Sequence, residues 1–427
     1  MASSASSTWK RSGVRAPPHP PKLAKILSII ETIYAEQEPI SAEYWSDILK
    51  PVFQGKKVII TGEVVAGLLQ RARQIRELGA QSTFILATEG MGTGDTPTEA
   101  DGEWFALDAP GSGDMVEAIH AGLKLLGNLP QQVKDALNQY DSDHTAMVVG
   151  TFLHEQPAVA GRKSLAYRKP EWLALDDKTV IDKVWDKIGV VREPSEVVVS
   201  RNEILEATQR LNKGDGVVWS GDSCDGVSGG GVGVRWVRSE ADIDSALEYY
   251  KKHCDKLRVM SFLEGIPCSI HGMVFPDYIA AFRPVEMVTL RRIDSNEFFY
   301  AGTATYWDPA PSDREAMRSI AKRVGDALRD MVDYRGIFTV DGVLTKDGFR
   351  PTELNTRSGA GIKPILAGMS DLPLELIDRA LVAGSTLDYK PRELESFVVK
   401  TPTSNEVVAH GAPCRHICLQ LISVQSS

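Results

Sequence analysis

The 427-residue chain is 43% hydrophobic and 25% charged, ordinary globular material long enough for two or three domains. Its net charge of −9 argues against a nucleic-acid binder that works by neutralising phosphates. With no apolar run of about eighteen residues, no membrane span is expected, and five scattered cysteines without C-x-x-C spacing point away from disulfides or zinc and towards a reducing, cytoplasmic setting.

The opening is rich in Ser, Pro, Lys and Arg with no acid before Glu31; residues 1–21 read as Pro-rich disorder, a composition also compatible with an organellar transit peptide. A helical apolar pattern covers 22–36. Residues 57–61 (KVIIT) and 83–87 (TFILA) read as strands joined by a helix over 64–78, a β-α-β unit of an open parallel sheet. A helix over 115–126 and a strand over 146–150 continue the alternation. The segment from Gly90 to Gly94 (GMGTG) opens no evident helix and lacks a terminal Lys-Ser/Thr, so it reads as a loop. Gly62 lacks the dinucleotide-fingerprint glycines, which disfavours a dehydrogenase-like site.

From residue 175 the character changes. Asp176 or Asp177 is placed to cap a helix whose core face is Val180, Ile181, Val184, Trp185 and Ile188. Lys178 falls in its first turn, where the helix dipole disfavours a cation unless an anion is near; taken alone it is a surface lysine. Strands over 216–219 and 233–237 flank a stretch holding Gly229, Gly230 and Gly231. Glycines between two strands make a flap, since phosphate loops lie between a strand and a helix. A helix over 240–251, a strand over 257–263 that turns at Glu264-Gly265 and resumes over 268–275, the segment 278–289 and a long helix over 312–332 lead to Gly336.

Residues 337–344 and 349–355 then form a hairpin. A three-residue loop of Lys346, Asp347 and Gly348 sets Thr345 opposite Phe349 and Asp341 opposite Glu353; a two-residue loop sets Asp341 opposite Leu354 and sends the two acids to opposite sides of the sheet. The first is expected. Carboxylates facing each other at about 5 Å repel unless a cation lies between them, and Asn355 shares the face of Glu353 by alternation. Asp341, Glu353 and Asn355 thus offer hard oxygens suited to magnesium, which completes its shell with water and substrate phosphates. Arg357, Gly359 and Gly361 add a fork-shaped cation and a backbone that an anion can approach closely.

Asp341 followed by Glu353-Leu354-Asn355-Thr356-Arg357 resembles the metal-binding signature of the ATP-grasp superfamily, an acid on one strand and E-x-N-x-R on the next. The resemblance extends from residue 175 to about 384. It implies that Lys178 reaches nucleotide phosphate, that Gly229, Gly230 and Gly231 belong to a lid folding over the triphosphate, and that the main chain of Met260, Phe262 and Leu263 meets the purine with Glu264 on the ribose. It also implies that Arg357 and an arginine preceding the hairpin stabilise the transferring phosphoryl; Arg283 is taken for the latter, with Arg291 and Arg292 as alternatives. The sequence departs from the family where the strand before the flap usually carries a second phosphate lysine: Trp219 and Ser220 stand there, and Arg235 or another cation would substitute.

The expected fold class is α/β, becoming α+β in the nucleotide-binding part. Residues 1–21 are a disordered segment and 22–165 an N-terminal open parallel-sheet domain; 166–390 form an ATP-grasp fold with a mobile glycine-rich lid at about 192–258, and 391–427 a C-terminal extension with a strand over 396–399. The resemblance implies a ligase using ATP and Mg²⁺, or Mn²⁺, that activates a small-molecule carboxylate as an acylphosphate and joins it to an amine, an amino acid or peptide being the substrate type. Neither nucleic acid nor membrane is a partner in this reading. The rival is a degenerate member that binds nucleotide without turnover.

Overall fold

The computed structural model describes residues 41–107, 115–222, 231, 233–291, 297–369 and 371–401. Strands β1 (Lys57–Gly62), β2 (Ser82–Ala87), β3 (Glu103–Ala106) and β4 (Met147–Val149) form a parallel sheet in the order β3-β2-β1-β4. Its central strands are continuous apolar runs because both faces are covered. Leu126, Leu129, Val133 and Leu137 pack on Ile59, Phe84, Leu86 and Val148. The helix Val65–Glu77 buries Leu68, Leu69, Ala72 and Ile75 against β1 and β2. In the glycine-rich loop after β2, the carbonyls of Gly90 and Met91 accept hydrogen bonds from the N–H groups of Val65 and Ala66 (3.1 and 3.0 Å). The loop therefore caps the helix with its carbonyls, the wrong polarity for holding an anion there.

A short ribbon of β5 (Ala158–Val159) and β6 (Arg162–Lys163) follows this sheet. Between β4 and the ribbon lies His154, which is buried, with Nε2 2.8 Å from Ser164 Oγ. That hydroxyl donates to the carbonyl of Gln156, so Nε2 carries the imidazole proton. Burial, helped by the charge of Arg379, pushes the His154 pKa down to about 4. Between its ordinary value and 4 the unfolded chain takes up a proton that the native state refuses, so stability falls as pH drops through that window. Unfolding by denaturant at pH 7 and pH 5 is expected to show wild type losing roughly 2 kcal/mol more than His154→Gln; equal losses would refute this.

Strands β7 (Ser195–Val198), β8 (Val217–Gly221), β9 (Val234–Val237) and β10 (Leu257–Ser261) form an antiparallel sheet in the order β7-β10-β8-β9. One face, with Val217, Trp219, Leu257 and Val259, packs under Ile204 and Ala207 of the helix Arg201–Leu211 and Tyr250 of the helix Glu240–His253. Period-two alternation turns Val218, Ser220, Arg258 and Met260 to the other face.

Strands β11 (Ile266–Val274), β12 (Ile279–Arg291), β13 (Phe298–Ala304), β14 (Gly336–Thr345) and β15 (Gly348–Asn355) form a second antiparallel sheet, β13-β12-β11-β14-β15. The helix Pro311–Val332 lays Met317, Val324 and Leu328 into the core formed with Ile270, Ile279, Phe338 and Val340. It approaches the sheet so closely that a Cβ on Gly325 would lie 2.4 Å from Ile279 Cγ2. The result is the α/β architecture the sequence pattern implies, parallel in the first sheet and antiparallel in the other two.

The strand expected over 396–399 is instead part of a helix, Pro391–Lys400. Pro391 at its first position presets φ, and Leu394 and Val398, one turn apart, are both buried, so amphipathic packing overrides the β-branched run. Trp45 on the helix Ala42–Phe53 donates through Nε1 to the carbonyl of Tyr389 (3.2 Å) and sets its ring 5.3 Å from that of Phe397. Arg71 pairs with Glu375, and Arg379 reaches the carbonyl of Thr151. No described helix is long and apolar enough to cross a membrane.

Candidate active site

The β14–β15 hairpin closes one residue earlier than expected. Thr345 pairs with Gly348 around Lys346 and Asp347, and the ladder runs on through Leu344–Phe349 and Val343–Arg350 to Gly342–Pro351. Carried further, that register would put Asp341 opposite Thr352. The ladder shifts at this point, leaving Thr352 as an extra residue, and Asp341 faces Glu353 with Val340 opposite Leu354 and Thr339 opposite Asn355. The expected juxtaposition is present, produced by a bulge and not by a three-residue turn.

Around Asp341 the polar groups converge. Asn355 Nδ2 donates to Asp341 Oδ2 (2.9 Å), Ser269 on β11 donates to Oδ1, and Lys178 Nζ lies 3.0 Å from Glu353 Oε1. Burial, and then the facing Glu353, push the Asp341 carboxyl up to about 6 against Ser269, Arg357 and Lys178. Two carboxylates held in opposition despite that repulsion, with an amide beside them, suit a hard divalent cation that also takes oxygens from phosphate. Among the described residues no three His, Cys, Asp or Glu side chains gather as a metal-holding group, so such a cation would depend on this pair, Asn355 and oxygens from bound phosphate or water.

Lys178 reaches the pair from outside a helix. Asp177 Oδ1 accepts from the N–H and the hydroxyl of Thr179 (2.7 and 2.8 Å), a local turn that competes with helix, and the helix begins only at Asp182. Ile181, Val184 and Trp185 are buried as expected. Asp176, paired with Arg168, accepts from the N–H of Thr356 (2.7 Å) and so ties the Lys178 segment to the end of β15.

Between the two antiparallel sheets lies a cavity of about 770 Å³. Asp341, Glu353, Asn355 and Lys178 line one part of it, joined by the loop from Arg357 to Gly361. Arg357 Nε is buried without a hydrogen-bond partner among the described residues. The loop can lie flat on the sheet because its glycines spare a clash: a Cβ on Gly361 would sit 2.4 Å from Nε2 of the buried His271, which hydrogen-bonds to Thr339 Oγ1 (2.9 Å). Met260, Phe262, Leu263, Met287, Leu290 and Phe298 form an apolar part of the lining. Trp236 of β9 stacks on Phe262, centroids 4.5 Å apart, and on Phe298 at 6.3 Å, bringing the two sheets together.

The remaining candidates divide. Gly231 lines the cavity; Gly229, Gly230 and Arg292 lie outside the described residues. Glu264 is not among the lining residues, and its carboxylate takes the fork of Arg291, which does line the cavity. Arg283 is a correction: it is absent from the lining and spends its fork on the carbonyls of Val399 and Thr401, fixing the end of the last described helix. Strand alternation explains the missing lysine, since Trp219 is buried under the helices with Nε1 on Thr208 Oγ1 while Ser220 faces the cavity. Arg235, opposite Trp219, pairs with Glu297 and stacks on Tyr249, away from the lining. The cation beside Ser220 is Arg258, its partner across β8 and β10, which sequence reasoning missed. The signal was present in LRVMS, an arginine on one face of an otherwise apolar strand, which is costly to bury unless paired.

The sequence matches no family model. It is 30% identical over 190 residues to a D-alanine–D-alanine ligase of Streptomyces griseus, covering 43% of this chain and 48% of that protein. It is 27% identical over 172 residues to a D-alanine–D-alanine ligase of Mycobacterium leprae, covering 36% and 44%. The chain thus spans about half the length of the curated relatives it matches. Among solved structures, the biotin carboxylase domain of Hydrogenobacter thermophilus 2-oxoglutarate carboxylase, in complex with MgADP, ADP and bicarbonate, superposes with a TM-score of 0.56 at 16% identity, covering 79% of this chain and 72% of that one. A biotin carboxylase from Campylobacter jejuni gives 0.55 at 15%, covering 78% and 72%. The hairpin signature resembles that of ATP-grasp enzymes, and the fold is similar to that of the biotin carboxylases.

Proposed function

We propose that the protein is an ATP-dependent carboxylate–amine ligase with Mg²⁺, or Mn²⁺, as its cation. The observation that carries this is the meeting of Asp341 and Glu353 across a bulged hairpin, with Lys178 on Glu353, at one part of a cavity whose apolar lining has room for a purine. In this reading residues 166–390 hold nucleotide, with the sheet of β7 to β10 as the lid over about 192–258, and residues 22–165 contribute the acceptor side through Phe152 and Leu153.

When bound, Mg²⁺ would supply the charge neutralisation that transfer of the γ-phosphoryl to a carboxylate oxygen requires. Asp341 and Glu353 would hold that cation, and Asn355 would present its amide oxygen after a half-turn that exchanges its hydrogen bond to Asp341. Lys178 and Arg357, whose Nε has no hydrogen-bond partner among the described residues, draw off the remaining negative charge, and Gly359 and Gly361 line the cavity with them. Met260, Phe262 and Leu263 meet the base, with Phe298 across the cavity. The amine nitrogen then attacks the acyl carbon of the acylphosphate, the C–O bond to phosphate breaks, and the ammonium proton is lost to water.

The test is phosphate release from Mg·ATP with a panel of amino acids, peptides and simple carboxylates, in pairs with amines, followed by mass analysis for the amide. Acceptor-dependent release with amide formation supports the ligase. Nucleotide binding without release under any pair favours the second reading, a nucleotide-binding regulator, for which the motivating observation is that the cavity face of β8 carries Val218 and Ser220 and no lysine.

A further inference from the structure

Arg258 is almost wholly buried, and its fork is divided among parts of the chain far apart in sequence. Nε and one terminal nitrogen donate to Asp182 Oδ2 and Oδ1 (2.9 and 2.6 Å). The other terminal nitrogen donates to the carbonyl of Thr352 (3.0 Å). Thr352 is the extra residue of the β15 bulge, and its hydroxyl donates to the carbonyl of Asp341 (3.3 Å). Asp182 opens the helix four residues beyond Lys178 and also accepts from Ser195 of β7. One guanidinium therefore joins the lid sheet, the Lys178 segment and the residue whose extrusion turns Asp341 towards Glu353.

We propose that Arg258 is a positioning residue that holds the bulge at Thr352, and with it the facing of Asp341 and Glu353, so that the cation ligands are assembled only while the lid sheet is docked. This rests on the cation-site reading above and adds to it residues that would act through the hairpin acids, Arg258 and Asp182, joined at Thr352. A planar fork spans Asp182 and Thr352 together, whereas an ammonium is a single point of charge; Arg258→Lys keeps the charge and loses the span. Groups that orient metal ligands typically change metal affinity by about 10- to 100-fold.

The experiment is Mn²⁺ titration of the full chain by electron paramagnetic resonance in the presence of ADP, alongside ADP affinity without metal. Arg258→Lys and the milder Asp182→Asn are both expected to weaken Mn²⁺ by about tenfold or more while metal-free ADP affinity holds within about twofold. The double variant should be no weaker than the weaker single, since both act through one link. Unchanged Mn²⁺ affinity in both singles overturns the proposal, as does an equal loss of Mn²⁺ and metal-free ADP binding, which is what a collapsed lid gives. Glu353→Gln separates the two levels. If it loses Mn²⁺ while Arg258→Lys keeps it, only the positioning role fails; if Glu353→Gln keeps full Mn²⁺ affinity, the cation site fails and this proposal with it.

Discussion

Replacing Glu353 by glutamine is expected to lower acceptor-dependent phosphate release from Mg·ATP by about 10³-fold, roughly 4 kcal/mol of transition-state stabilisation. The change is nearly isosteric, so the bulge and the cavity stay, but one of the two facing carboxylates becomes a neutral amide and the ion pair with Lys178 at 3.0 Å is lost. Because Glu353 is the charge that most raises the Asp341 carboxyl after burial, its removal also relieves a repulsion. Without divalent cation the variant should therefore melt at or above the wild-type temperature, a combination that general misfolding does not give. Turnover within about tenfold of wild type would show that the hairpin acids are not the centre of the chemistry.

The largest expected loss of stability lies away from the site. Arg162 is fully buried, with Nε 3.0 Å from Asp141 Oδ2, one terminal nitrogen 2.7 Å from the carbonyl of Ala160 and the other 3.0 Å from that of Leu137. It is a second donor to a carbonyl in the last turn of the helix Gln131–Tyr140 that already accepts from the N–H of Asp141, and it ties that helix to β6. Burial alone would raise the Asp141 carboxyl, but the N–H groups of Ala146 and Thr145 together with Arg162 outweigh it and hold the group below its ordinary value. Arg162→Met keeps much of the volume and strands that carboxylate, at a cost of about 3–5 kcal/mol. Urea unfolding measures it directly, and a loss under about 1 kcal/mol would mean that the pair contributes little net. Phosphate release well below the melting temperature should be unaffected.

Much of the site's geometry was legible because Asp341, Glu353 and Asn355 sit within one hairpin, where alternation and turn chemistry are local. What the chain pattern did not show is how the acids come to face each other. The turn forms one residue early and Thr352 is extruded under a hydrogen bond from Arg258, ninety-four residues upstream, so local rules give the outcome without its cause. The apolar pattern puts Lys178 inside a helix, but the side chain of Asp177 captures the backbone first and the helix starts only at Asp182. Position along a strand points to Arg283, and sequence does not reveal that the carbonyls of Val399 and Thr401 await it. Trp219 reads as a lost lysine because position along a strand does not say which face of β8 a residue occupies; Ser220 and Val218 are the residues that look inward.

The clasp of Trp45 on Tyr389 and Phe397, with Arg71 on Glu375 and Arg379 on Thr151, bolts the parallel sheet to the closing helices at widely separated points. A molecule fastened in this way does not gape by swinging its front half aside. On the reading proposed above, the freedom to admit and discharge a nucleotide would be left to the sheet that carries Arg258 and Trp236, so the part that must yield for entry would be the same part whose docking keeps Asp341 opposite Glu353.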